Sequence, residues 1–202
     1  MAVEAVVFDF GGVLVRTEDR QPRNALAARL GMTYDELSAL IFDSQSAIQA
    51  MKGEITTDVH WAAVQKSLGL SDAEIEHART EFWAGDVLDE NLVNLLRDLR
   101  PRYSTVLLSN AWDDLRQMIE EVWQIDDAFD RMVISAEIGL VKPDLEIFQW
   151  LISQLGIEPA KAVFVDDFLH NVEGARAAGL LAIHFQSADQ ALGELQALLQ
   201  IE

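Results

Sequence analysis

Residues 5–15 read AVVFDFGGVLV: four apolar residues in a row, a carboxylate after one more step, and a glycine pair before the chain turns apolar again. An unbroken apolar run of four suits a strand buried on both faces, as in a parallel sheet covered by helices. Asp9 then stands at the carboxyl end of that strand, which is where open α/β sheets bind their ligands. An aspartate beside glycines is otherwise an ordinary turn residue. Which of the two it is depends on what the distant parts of the chain bring to the same edge.

The same texture recurs as STVLL (104–108), MVI (132–134), AVFV (162–165) and LAIHF (181–185), each short enough for a buried strand. Between these runs lie helical patterns. DENLVNLLRDL (89–99) and DLEIFQWLISQLG (144–156) repeat apolar residues at three- and four-residue intervals, and Gly156 and Gly179 follow as stop signals, the latter closing HNVEGARAAG (170–179). Strands alternating with helices in this way predict an α/β fold: a Rossmann-like parallel sheet with helices on both faces. Residues 16–88 differ. They hold four helical patterns, with Thr57 and Ser71 as N-cap candidates, and no recognisable strand. The expected organisation is an α/β core of residues 1–15 and 89–202 and an inserted all-α cap of residues 16–88.

Composition narrows the function. The chain has 202 residues, half of them apolar, enough for a sizeable core. With 34 acidic against 15 basic residues its formal charge is −19, a field that repels nucleic acid and anionic lipid surfaces. No cysteine is present, which removes thiolate chemistry and zinc-thiolate sites and fits a reducing compartment. No apolar run approaches the roughly 20 residues that span a bilayer. A cytoplasmic protein without nucleic-acid or membrane partners is expected. The four histidines are scattered without ligand spacing.

The predicted strands bring chemistry to one rim. Asp9 follows the first strand, Ser109 and Asn110 the second, and Asp166 with Asp167 the fourth; Lys142 lies in GLVKPD. Facing carboxylates repel unless a cation sits between them, and a donor set made only of oxygen suits Mg2+. Lys142 adds a positive point charge, while the Ser109 hydroxyl, the Asn110 amide and the backbone amide at Gly12 are groups that bind phosphate oxygens. Asp9 is then available as a nucleophile that forms an aspartyl phosphate, hydrolysed later by water. Asp166 is also placed to pair with Lys142 and hold it.

VVFDFGGVLV, VLLSN, GLVKPDLEIF and VFVDDFLHNVEGARAAG together resemble the four motifs of the haloacid dehalogenase superfamily, and more narrowly its phosphatases with a helical cap after the first strand. The resemblance implies that Asp9 is nucleophile and metal ligand and that Gly11 lends its backbone carbonyl to the metal. It further implies that Asp167 ligates directly and Asp166 through water, and that Ser109 and Lys142 hold the phosphate. One departure matters: family phosphatases usually carry a second aspartate where this chain has Gly11. Its loss removes a proton donor worth roughly 10²–10⁴-fold in rate. The dehalogenase branch also lacks that aspartate, but works without metal and has no such aspartate pair in its fourth motif. The reading is a magnesium-dependent hydrolase of small phosphorylated metabolites, favouring good leaving groups such as sugar 1-phosphates or acyl phosphates. A weakened relative that binds a phosphorylated ligand or protein is the alternative, and a 2-haloacid dehalogenase a third. Lys52 and Glu54 in KGEIT (52–56), and Trp112, are further candidates to face the cleft.

Overall fold

In the computed structural model, which describes residues 2–200, β1 (Ala5–Phe8) and β2 (Val15–Thr17) precede five helices: α1 (Gln21–Arg29), α2 (Tyr34–Phe42), α3 (Gln45–Met51), α4 (Thr57–Leu68) and α5 (Asp72–Trp83). After β3 (Asp86–Leu88) the chain alternates through α6 (Glu90–Leu99), β4 (Ser104–Ser109), α7 (Leu115–Gln117) with its π-helical continuation Met118–Trp123, and β5 (Arg131–Ile134). It ends with α8 (Ser135–Ile138), α9 (Leu145–Leu155), β6 (Ala162–Asp166), α10 (Leu169–Ala177), β7 (Leu181–His184) and α11 (Ala188–Leu199).

Five strands pair in parallel in the order β5-β4-β1-β6-β7, with Val7 opposite Val106 on one side and Phe164 on the other. Because successive side chains alternate across a strand, each strand feeds two cores. Val6, Phe8, Leu107, Val163 and Val165 pack with Leu96 of α6 and Leu195 of α11 on one face. Ala5, Val7, Val106, Leu108 and Phe164 pack with Phe148 and Leu151 of α9 and Ala175 of α10 on the other. The α/β fold expected from the sequence is present. The amphipathic helices end as their glycines dictate: Gly156 takes φ 67° as the left-handed cap of α9, and Gly179 takes φ 91° just beyond α10.

Helices α1–α5 surround a third core of Leu26, Leu37, Ile41, Trp61, Val64, Ile75 and Phe82. Two expectations need correction here. The segment between the first strand and residue 88 does contain strand: β2 and β3 form an antiparallel ribbon with Arg16 opposite Val87. Three-residue strands that are half exposed leave no alternation long enough to read. The N-cap of α4 is Thr56, whose hydroxyl accepts from Val59 N–H, and not Thr57. The Thr57 hydroxyl instead donates to the Asp113 carboxylate at 2.6 Å, in the loop that follows β4.

Candidate active site

A tight turn after β1 sets the floor of the site. The Phe10 carbonyl accepts the N–H groups of Val13, Leu14 and Val15, and the Gly12 N–H donates to the Val15 carbonyl at 2.8 Å. The Gly12 amide, expected to face a phosphate, is thus occupied within the turn. Gly12 matters instead through its missing side chain: at φ 82° a Cβ there would fall inside the Asp167 carboxylate. The Gly11 carbonyl accepts none of the turn's hydrogen bonds, and a Cβ on Gly11 would meet nothing within 4 Å.

Parallel pairing of β1 with β4 and β6 brings Asp9, Ser109, Asp166 and Asp167 to one rim, and the loop before α9 carries Lys142 into it. The ammonium of Lys142, only 3% exposed, lies 2.8 Å from Asp9 Oδ1 and 2.7 Å from Asp166 Oδ2, and donates to the Leu108 carbonyl at 3.0 Å. All three of its protons are therefore directed at protein oxygens. Asp166 is saturated. Its Oδ1 accepts from Phe168 N–H at 2.8 Å, and the Asn171 amide reaches both of its oxygens at 3.0 and 3.1 Å. Asp9 Oδ1 also takes the Phe10 N–H at 2.7 Å. Asp167 is the contrast: its Oδ1 is buried and has no hydrogen-bond partner among the described residues.

A buried acceptor without a donor is costly unless something else meets it. Asp9, Asp166 and Asp167 each offer one carboxylate oxygen, and these lie within 4.8 Å of one another. That all-oxygen set fits a hard divalent cation such as magnesium. The electrostatics agree. Burial pushes the Asp9 carboxyl up to about 7, against the lowering effect of the Lys142 charge. Burial, with the Asp166 charge added, also raises Asp167. Burial would lower Lys142, but the charges of Asp9 and Asp166 outweigh it and hold the lysine above its ordinary value.

The other candidates fall into place by contact. The Ser109 side chain is buried at the end of β4. The Asn110 amide is engaged with the Lys142 backbone in both directions, donating to its carbonyl at 2.8 Å and accepting its N–H at 2.8 Å. It shapes the loop that delivers the lysine. Trp112 does not face the cleft: it is buried in the third core, its ring 4.6 Å from that of His60 and 6.3 Å from that of Trp61. Lys52 and Glu54 are exposed, on a turn whose Gly53 packs against the Ala136 carbonyl. Sequence reasoning missed Asn171; its only signal is its place in the first turns of the helix after the aspartate pair, on the face turned to Asp166.

The carboxyl rim of the α/β sheet thus gathers three carboxylates and a buried lysine. The chain belongs to the haloacid dehalogenase-like hydrolases, whose family model matches residues 3–179. Relatives of similar length include a sesquiterpene phosphatase, astK, of Aspergillus oryzae, 29% identical over 97% of this chain and 96% of that one. A D-ribitol-5-phosphate phosphatase of Bacteroides thetaiotaomicron is 27% identical over 88% of this chain and 89% of its own. Among solved structures, a variant of a HAD family enzyme from Bacteroides thetaiotaomicron, in complex with magnesium and inorganic phosphate, superimposes with a TM-score of 0.75 at 26% identity. That match covers 93% of this chain and 96% of the other.

Proposed function

We propose that the protein is a magnesium-dependent hydrolase of small phosphate esters with Asp9 as its nucleophile. The observation that carries this reading is the division of labour among the carboxylates. Lys142 and Asn171 saturate Asp166, while Asp167 keeps a buried oxygen without a donor beside Asp9. Asp9, Asp167 and the Gly11 carbonyl would hold the ion, with Asp166 behind them holding Lys142 in place; bound there, magnesium neutralises phosphate charge. Relatives named as phosphatases, and the magnesium and phosphate of the Bacteroides structure, support the assignment.

The chain's own groups then divide the reaction. Phe10 N–H and Lys142 hold Asp9 Oδ1, which leaves Oδ2 to attack phosphorus. The bond from phosphorus to the ester oxygen breaks, its electron pair leaves with that oxygen, and the leaving oxygen takes its proton from solvent. Water next attacks the phosphorus of the aspartyl phosphate, releasing phosphate and restoring the Asp9 carboxylate. Ser109 binds a phosphate oxygen, and Lys142 acts through its charge. Because Gly11 supplies no proton, weakly basic leaving groups, as in acyl phosphates or sugar 1-phosphates, are favoured. We assign residues 16–88 as the cap that covers the site and residues 1–15 and 89–202 as the catalytic core. No helix among the described residues is long and apolar enough to cross a membrane. The cysteine-free sequence fits a reducing compartment, and we place the enzyme in the cytoplasm, acting on small substrates.

A screen of phosphorylated metabolites with and without magnesium tests the proposal. Turnover that needs the metal and disappears in Asp9→Asn is expected; turnover that survives Asp9→Asn refutes it. Gly11 favours a second reading, a weakened hydrolase that binds a phosphorylated ligand. Beryllium fluoride captured at Asp9 with magnesium, without turnover of any substrate in the panel, would select it.

A further inference from the structure

The helical block is anchored on one side of the site. Trp112 is buried among its aromatic residues, Asp113 accepts the Thr57 N–H at 2.9 Å and hydroxyl at 2.6 Å, and the turn at Gly53 lies on the Ala136 carbonyl. All three contacts are made by the segments that follow β4 and β5. On the opposite side of β1, the segment after β6 carries Phe168 and Leu169, which are 54% and 49% exposed.

These two are consecutive in the chain and directly follow Asp167, whereas among the described residues the other large exposed apolar side chains stand singly in the sequence. Their backbone is fixed relative to the site, because Phe168 N–H donates to Asp166 Oδ1 at 2.8 Å. Leu145, 41% exposed, opens the neighbouring α9 three residues after Lys142. Helices α9 and α10 are packed closely, since a Cβ on Gly174 of α10 would meet the Pro143 carbonyl and the Phe148 ring. Phe168, just before α10, and Leu169 and Leu145, which open α10 and α9, thus present apolar side chains to water on the segments that follow Asp167 and Lys142. In a chain of formal charge −19, an apolar doublet directly after Asp167 calls for an apolar occupant.

We propose that Phe168 and Leu169 seat an apolar leaving group, so that the substrates are phosphate esters whose leaving group carries a hydrocarbon chain or ring system. This rests on the hydrolase reading above and adds the substrate class to it. The phosphate would be held by Ser109 and by the charges of Lys142 and the metal, while the hydrocarbon lies against Phe168 and Leu169. Removing that hydrocarbon from water supplies binding energy remote from the reacting phosphorus.

The test uses 4-n-alkylphenyl phosphates from methyl to octyl, hydrolysed by the full chain with magnesium. The acidity of the phenol is constant along this series, so only the length of the hydrocarbon varies. KM is expected to fall about twofold per methylene over the first several carbons, half of the roughly fourfold that complete burial of a methylene brings. The Phe168→Ser/Leu169→Ser double variant is expected to flatten that dependence, and Phe168→Leu to keep most of it. A KM independent of chain length in the native protein overturns the inference and leaves the hydrolase reading standing, as does a slope that persists in the double variant. Absence of turnover even for the methyl compound fails the hydrolase reading, and this inference with it. Self-association that the double variant abolishes, combined with a flat series, gives the patch to a second copy of the chain.

Discussion

Replacing Lys142 with methionine keeps a side chain of similar length and removes only the charge and its three protons. In the native protein that ammonium lies 2.8 Å from Asp9, 2.7 Å from Asp166 and 3.0 Å from the Leu108 carbonyl, all within the buried rim. Removing one partner from a buried ion pair costs about 3–5 kcal/mol, because the other is left charged and unpaired. Asp166 keeps the Asn171 amide and the Phe168 N–H, so most of the loss falls on Asp9. For a chain of this size about 1 kcal/mol lowers the melting temperature by about 2–4 °C, which places the variant roughly 10 °C below the native protein.

The deficit has a pH signature. The folded Asp9 carboxyl already stands at about 7 against an ordinary 3.8, and without Lys142 it rises further. A carboxyl raised on folding lends stability that is complete below its unfolded value and is lost as pH climbs through its folded value. The variant should therefore melt closest to the native protein near pH 5, where Asp9 is neutral, and furthest below it near pH 8 and above. Thermal melts followed by circular dichroism, in chelator so that no metal contributes, measure both points. A variant that melts with the native protein at pH 8, or a gap of equal size at both pH values, would refute the charge balance described for this rim.

Two further outcomes are expected. Gly11→Asp has space for its side chain, since a Cβ there meets nothing within 4 Å, and should raise turnover of alkyl phosphates by about 10²–10⁴-fold while changing aryl phosphates little; initial rates on matched alkyl and aryl esters decide it, and no gain on the alkyl esters would mean that the proton arrives from another group. Trp112→Ala empties a buried aromatic site that joins the β4 loop to the helical block and should cost about 3–5 kcal/mol in denaturant unfolding, with Trp112→Phe recovering part; a loss under about 1 kcal/mol would contradict the packing described.

Much of this architecture could be read from local pattern. Runs such as AVVF and AVFV are apolar on both faces because both faces are covered, so burial is written into consecutive residues and the five parallel strands follow. Asp9, Ser109, Asp166 and Asp167 could be brought together for the same reason: once the strands are parallel, their ends share an edge. The β2/β3 ribbon is not legible in the sequence because three half-exposed residues carry no period, and Thr57 reads as a cap because the threonine beside it offers the same hydroxyl.

What the amino-acid order determined alone was the five strands of the main sheet, the long helices and the kinds of group at their ends, since periodicity and turn chemistry act over a few residues. Only the tertiary structure decided how those groups are used. It decided that Lys142 directs every proton at Asp9, Asp166 and Leu108, and that Asn110 braces the lysine loop. It turned Trp112 into the helical block, and it left one Asp167 oxygen without a donor while exposing Phe168 and Leu169. Whether a polar atom is satisfied or an apolar one covered depends on neighbours supplied by other elements, and no stretch of chain contains its own neighbours.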